Sequence, residues 1–175
     1  LKEYRNLGIN RICIGVQSFS NDELKVLGRK YTKNHAVSSI LKSSDYFDNI
    51  AIDLIFGIPK SNRENFEKQL YFCRELPVKH LSLYEFDFEN KKKSNYIIDS
   101  SFFESKKKIL EEKKFFQYET TSYALTGYQS CYKNSVLDIK DYIGIGPSAH
   151  GRVREDNTLI RISNTKNFKK LARTK

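Results

Sequence analysis

The sequence has no methionine, not even at position 1, and no tryptophan, and it holds only three prolines, eight glycines and three cysteines in 175 residues. The missing initiator, with an opening that lies inside an amphipathic stretch from Leu1 to Leu7, leads us to expect a piece of a longer reading frame. The three cysteines, Cys13, Cys73 and Cys131, are widely separated and include no C-x-x-C pair, so neither a zinc site nor a local cluster motif is present. Their odd number argues against a secreted disulfide framework. Cys13 in an apolar run and Cys73 on a helix read as small buried hydrophobes. No apolar run approaches the ~20 residues of a membrane span, and no signal-peptide pattern opens the chain. A cytoplasmic protein is the expectation.

Positive charge is in excess, +10 at neutral pH, with lysines grouped at 91–93, 106–108, 113–114 and 169–170. Basic runs can attract nucleic acid. Here no aromatic or glycine residues are interleaved with them as in a nucleic-acid module. They read as solvated faces of a compositionally biased chain, and no specific nucleic acid is expected.

Hydrophobic residues make up 39% and charged residues 30%, which suits a globular chain with a core. Its organising pattern is strand and helix in alternation. A strand is predicted over 11–16, helices over 21–27 and 33–44, and a second strand over 49–56 ended by Gly57 and Pro59. A helix follows from the N-cap Asn62 to about Leu76, stopped by Pro77, and a third strand covers 79–85. One helical crossover between each pair of strands favours a parallel α/β arrangement. Beyond a polar stretch over 90–96, a lysine-rich helix is predicted over 100–114 and a strand over 116–123. A glycine-rich loop occupies 141–151, a hairpin over 152–162 turns at Asp156 and Asn157, and a short helix starts at Lys166.

Gly144-x-Gly146-x-x-Ala149 matches a dinucleotide fingerprint on paper, but Pro147 interrupts it and a hairpin rather than a helix follows. The strand ends are more informative. Gln17 follows the first strand, Asp53 sits within the otherwise apolar second, and Glu85 and Asp87 close the third. In parallel α/β folds, polar groups gathered there build a ligand pocket. A structural carboxylate at Asp53, hydrogen-bonded to some partner, is an equally good reading of the pattern. His35, His80 and His150 show no metal-ligand pairing, and His150 alone, in the glycine-rich loop, invites a test.

Five strings occur in this order along nearly the whole chain: Gly8-Ile-Asn-Arg-Ile-Cys-Ile-Gly-Val-Gln-Ser-Phe19, Leu27-Gly-Arg29, Ile52-Asp-Leu-Ile-Phe-Gly-Ile-Pro59, His80-Leu-Ser-Leu-Tyr-Glu85 and Asp141-Tyr-Ile-Gly-Ile-Gly-Pro-Ser-Ala-His150. In them the chain resembles the oxygen-independent coproporphyrinogen III oxidase-like radical S-adenosylmethionine (SAM) family, and its heme-chaperone branch more than its decarboxylating enzymes. The resemblance implies the C-terminal half of a partial (βα)6 radical SAM barrel over residues 1–89. The start of an α+β C-terminal region, truncated, would follow over 90–175. It implies that Gln17, Arg29 and Asp53 line the SAM pocket, an arginine suiting the methionine carboxylate through its planar two-donor fork. SAM and a [4Fe–4S] cluster are the implied cofactors of the intact protein, and heme or a porphyrin its implied ligand.

This chain would lack the cluster cysteines, hold no metal, contribute no catalytic residue and be inactive alone. Its expected partner is the missing N-terminal segment. The branch carries His-Asn-x-x-Tyr-Trp shortly before the glycine-rich loop, where this chain reads Lys133-Asn-Ser-Val-Leu-Asp138 and keeps Asn134 alone. Two other readings remain open: a non-catalytic remnant or partner subunit of a split radical SAM protein, and a basic RNA-binding module.

Overall fold

In the computed structural model, residues 1–86, 100–156 and 158–167 are described, and they fall into two compact units divided after Tyr128. The first unit runs α1 (Lys2–Asn6), β1 (Arg11–Gln17), α2 (Asn21–Val26), α3 (Lys33–Ser44), β2 (Asn49–Phe56), α4 (Arg63–Cys73), β3 (His80–Glu85), α5 (Ser100–Glu111), β4 (Phe116–Glu119) and β5 (Ser122–Ala124). Its five strands make one sheet in the order β1-β2-β3-β5-β4. β1, β2 and β3 pair in parallel, as the alternating pattern predicts, and β5 joins β3 antiparallel.

Local signals fix the helix starts. Ser20, Thr32 and Asn62 each accept a hydrogen bond from a first-turn backbone N–H, and at α3 the His35 side chain completes a capping box with Thr32. Packing then decides which sheet face is covered. Side chains alternate along a strand, and Ile50, Ile52, Leu54 and Phe56 of β2 all point into the core. There they meet Ile40 of α3, Phe66 and Leu70 of α4, and Phe102, Ile109 and Leu110 of α5. The opposite face carries Ala51, Asp53 and Ile55 of β2 beside Cys13 of β1 and His80, Ser82 and Tyr84 of β3, a more polar set.

Three sequence expectations change. The segment 116–123 is not one strand but the hairpin β4–β5. Glu119 accepts from the Thr121 amide at 3.1 Å, the Thr121 hydroxyl at 2.8 Å and the Ser122 hydroxyl at 2.9 Å, turning the chain without glycine or proline. The division between units falls after Tyr128 rather than at residue 89, because β5 extends the parallel sheet and α5 packs on α4. Cys13 is exposed rather than buried, since its strand position faces away from the helices. The polar stretch over 90–96, Asp87 and Asn157 lie outside the described residues. So does the helix expected from Lys166, apart from Lys166 and Asn167, which are not helical.

The second unit contains α6 (Cys131–Leu137) and the antiparallel pair β6 (His150–Glu155) and β7 (Thr158–Ser163). The buried Arg152 donates to the Ser135 and Lys140 carbonyls at 2.8 and 2.9 Å, placing a positive charge at the C-terminal end of α6. In the glycine-rich loop a Cβ at Gly144 would lie 2.2 Å from the His150 carbonyl oxygen, so only glycine fits there. The Asn164 amide donates to the Gly144 and Gly146 carbonyls at 3.0 and 2.9 Å and fixes the loop's course. The segment 133–138 that departs from the heme-chaperone pattern forms most of α6.

Candidate functional site

Parallel pairing places the C-terminal ends of β1, β2 and β3 on the same side of the sheet. At the first of these ends Gln17 adopts φ +64°, a left-handed conformation that costs a non-glycine residue roughly 1–3 kcal/mol unless its surroundings over-determine it. The ladder to β2 is irregular between Ile14 and Gln17. A Cβ built on Gly15 would lie 2.7 Å from Gln17 Nε2, so the glutamine side chain folds back over the space that this glycine leaves open.

The turn is held from behind by a buried polar network. The Ser18 hydroxyl lies 2.6 Å from Glu23 Oε2, and Gln69 Nε2 donates to the same oxygen at 2.9 Å. The Ser61 hydroxyl donates to Glu23 Oε1. The Phe19 amide donates to Gln69 Oε1 at 2.6 Å. Three elements, the β1–α2 turn, α2 and α4, therefore lock the backbone that presents Gln17.

Asp53 stands half-buried in the middle of β2, paired across the ladder with Ser82 of β3. The partner that a strand carboxylate requires is the Cys13 thiol, 3.5 Å from each carboxylate oxygen. Arg29 is exposed in the turn that closes α2, where its amide donates to the Leu24 carbonyl at 2.8 Å. Two residues on, the Tyr31 hydroxyl donates to the Gly15 carbonyl at 2.9 Å, with the Val16 carbonyl at 3.2 Å. Burial pushes the Tyr31 phenol up from its usual range, and the positive charge of Arg29 pulls it part of the way back. Gln17 thus sits on Gly15, and Arg29 acts on a tyrosine bonded to the carbonyl of that same glycine. Asp53 lies on the next strand, where its carboxylate meets Cys13. No hydrogen bond links Gln17, Arg29 and Asp53 directly among the described residues. A cavity of about 210 Å³, lined by Ile14, Val16, Tyr31, His35 and Ser39 among others, adjoins this end of β1.

Of the other candidates, Glu85 is exposed at the end of β3. His80 is buried, with Nε2 2.7 Å from the Tyr118 hydroxyl, and His150 Nδ1 lies 2.9 Å from the Ser163 hydroxyl. Both histidines are structural in these contacts. Tyr31 and Gly15 were not singled out in the sequence, because nothing local distinguishes a tyrosine that returns to a strand carbonyl from one on the surface.

The donor set suits SAM, whose ammonium, carboxylate and hydroxyl groups need a carboxylate, a guanidinium and an amide. The described residues do not suit an iron–sulfur cluster. No group of three metal-ligating side chains occurs among them, and burial pushes the Cys73 thiol up to about 12. That burial has a direct consequence. A maleimide should label the exposed Cys13 and Cys131 in the native chain, and Cys73 only after denaturation, as peptide mass spectrometry would show.

No family model matches the chain. Its sequence is similar to the heme chaperone HemW of Escherichia coli strain K12, 34% identical over 178 residues, covering 94% of this chain and 46% of that protein. HemW of Buchnera aphidicola from Acyrthosiphon pisum is 30% identical over 181 residues, covering 95% and 46%. The zebrafish (Danio rerio) mitochondrial radical S-adenosyl methionine domain-containing protein 1 is 29% identical over 169 residues, covering 87% and 37%. The chain spans about half the length of the HemW relatives it matches. Among solved structures, coproporphyrinogen III oxidase (HemN) of Escherichia coli, a radical SAM enzyme, superposes with a TM-score of 0.68 at 18% identity, over 94% of this chain and 43% of that one. The fold is that of part of a HemN-like radical SAM protein. By sequence the chain is similar to the HemW heme chaperones and to a radical SAM domain-containing protein, over less than half the length of each. No helix among the described residues is long and apolar enough to cross a membrane.

Proposed function

We propose that this chain supplies the later half of the SAM pocket in a HemW-like radical SAM protein of heme metabolism. Gln17, Arg29 and Asp53 are its share of the ligand contacts. The observation that carries this reading is the strained Gln17 turn, held by a buried network at the C-terminal end of a parallel strand beside Asp53. Strain kept in place by surrounding bonds is a mark of ligand sites.

The chain's own residues bind and orient. Arg29 offers a two-donor fork to the methionine carboxylate, Asp53 accepts from an ammonium or hydroxyl, and Gln17 supplies an amide over the open Cα of Gly15. SAM bound with a reduced [4Fe–4S] cluster would supply the radical chemistry, and the family resemblance places the cluster ligands outside this chain. Heme or a porphyrin is the proposed cargo.

The test is SAM binding by the assembled protein. Arg29→Ala is expected to weaken it by about 1.5–3 kcal/mol, the worth of a charged hydrogen bond, read by calorimetry. Unchanged affinity in Arg29→Ala, Gln17→Ala and Asp53→Ala alike would overturn the assignment.

A partner-subunit reading draws on a separate observation. β1 has a neighbouring strand on one side only among the described residues, and the chain leading into it is exposed, α1 along its length and Leu7 after it at 78%. An open apolar edge of this kind calls for a segment to pair with it. Whether that segment is covalently attached is decided by the mass of the native SAM-binding species.

A further inference from the structure

On α5 the buried stripe reads Phe102, Lys106, Ile109 and Leu110, so a lysine occupies a position where an aliphatic residue would serve packing best. Lys106 is 6% exposed, and it forms no ion pair or hydrogen bond among the described residues. Its ammonium lies instead among three rings, 4.8 Å from the centroid of Phe103, 5.4 Å from Tyr123 and 5.5 Å from Phe56. The nearest candidate carboxylate on the β4–β5 hairpin, Glu119, is committed to the turn donors. Burial holds the Lys106 ammonium below its usual range.

This charge sits in the wall of a cavity of about 370 Å³ between α5 and the hairpin, lined also by Phe103, Gln117, Thr120 and Tyr123. That volume lies within the range of small-molecule sites, and the lining has their character, aromatic walls with a few polar groups. Glu104 and Lys107 stand at the exposed rim with opposite charges that water screens. Inside, the positive charge has no counterion among the described residues.

We propose that the cavity between α5 and the β4–β5 hairpin binds a small organic carboxylate with a flat apolar body, its carboxylate on the Lys106 ammonium and its body against Phe103 and Tyr123. Rings alone leave the ammonium short of acceptors, and a carboxylate supplies them where the low dielectric strengthens the pair. The site lies on the helix-covered side of the sheet. It is separate from the Gln17–Asp53 face and does not depend on the function proposed for that face.

Benzoate titrated into the 175-residue chain, followed by calorimetry and by tyrosine fluorescence, tests the site. Saturable binding is expected. Lys106→Met, which keeps the stem and removes the charge, should weaken it by at least about tenfold, the scale of one charge-assisted hydrogen bond. Benzyl alcohol, of the same shape without the charge, should bind at least about as poorly as benzoate does to that variant. If Lys106→Met fails to fold, protection of Lys106 from acetic anhydride by benzoate, read by peptide mass spectrometry, replaces it. No saturable benzoate binding, equal binding of benzyl alcohol, or an unchanged affinity in the folded variant would each overturn the proposal.

Discussion

Phe66→Ala is expected to lower the stability of the first unit by about 3–5 kcal/mol, the usual cost of emptying an aromatic site in a core. Phe66 is 2% exposed and packs its ring against Phe56 and Phe102 at centroid distances of 5.5 and 5.8 Å. It therefore ties α4 to the end of β2 and to α5 at one point. The cavity left behind would be bounded by strand and helix backbone that cannot collapse into it. Phe66→Leu keeps most of the volume and should lose no more than about half as much, since volume-conserving swaps are tolerated best. Urea unfolding followed by circular dichroism measures both. A loss below about 1 kcal/mol for the alanine variant would show that the three rings are not the core contact described here.

Glu23→Ala is expected to cost about 2–4 kcal/mol, although it removes no large apolar surface. The carboxylate is 5% exposed and receives the Ser61 hydroxyl and the Gln69 amide, with the Ser18 hydroxyl beside it. With it gone, buried donors lose their acceptor, at about 1–3 kcal/mol for each left unsatisfied. The effect should reach the candidate site, because the same network fixes the turn that holds Gln17 at φ +64°. Amide exchange at Phe19, whose N–H rests on Gln69 Oε1, should speed up in Glu23→Ala more than in Phe66→Ala variants compared at equal stability. Equal protection at Phe19 in the two would separate the network from the turn and remove its bearing on SAM.

The three parallel strands and their connecting helices were legible because their signals are local. Asn62 caps α4, Gly57 and Pro59 end β2, and α3 occupies the predicted residues 33–44. That Gln17 closes β1 and Asp53 lies within β2 was legible for the same reason, since it follows from counting along strands. The family strings were legible outright. The hairpin at 116–124 was not, because its turn is stabilised by a glutamate side chain rather than by glycine, asparagine or proline. Arg152 could not be read as a buried clamp on α6, nor Lys106 as a buried cation, because a long side chain of either kind reads as surface until its surroundings are known.

By itself the sequence determined the order of elements, the parallel sheet and the resemblance to radical SAM proteins, all carried by periodicity, caps and motifs within a few residues of one another. Tertiary structure alone decided which face of that sheet is covered. Alternation along β1 and β2 sorts residues into two sets but does not say which set meets the helices. Only the packing of α3, α4 and α5 on Ile50, Ile52 and Leu54 settles it. That choice leaves Cys13 exposed beside Asp53, brings Tyr31 back to Gly15, and bends Gln17 into a conformation that its own sequence does not favour.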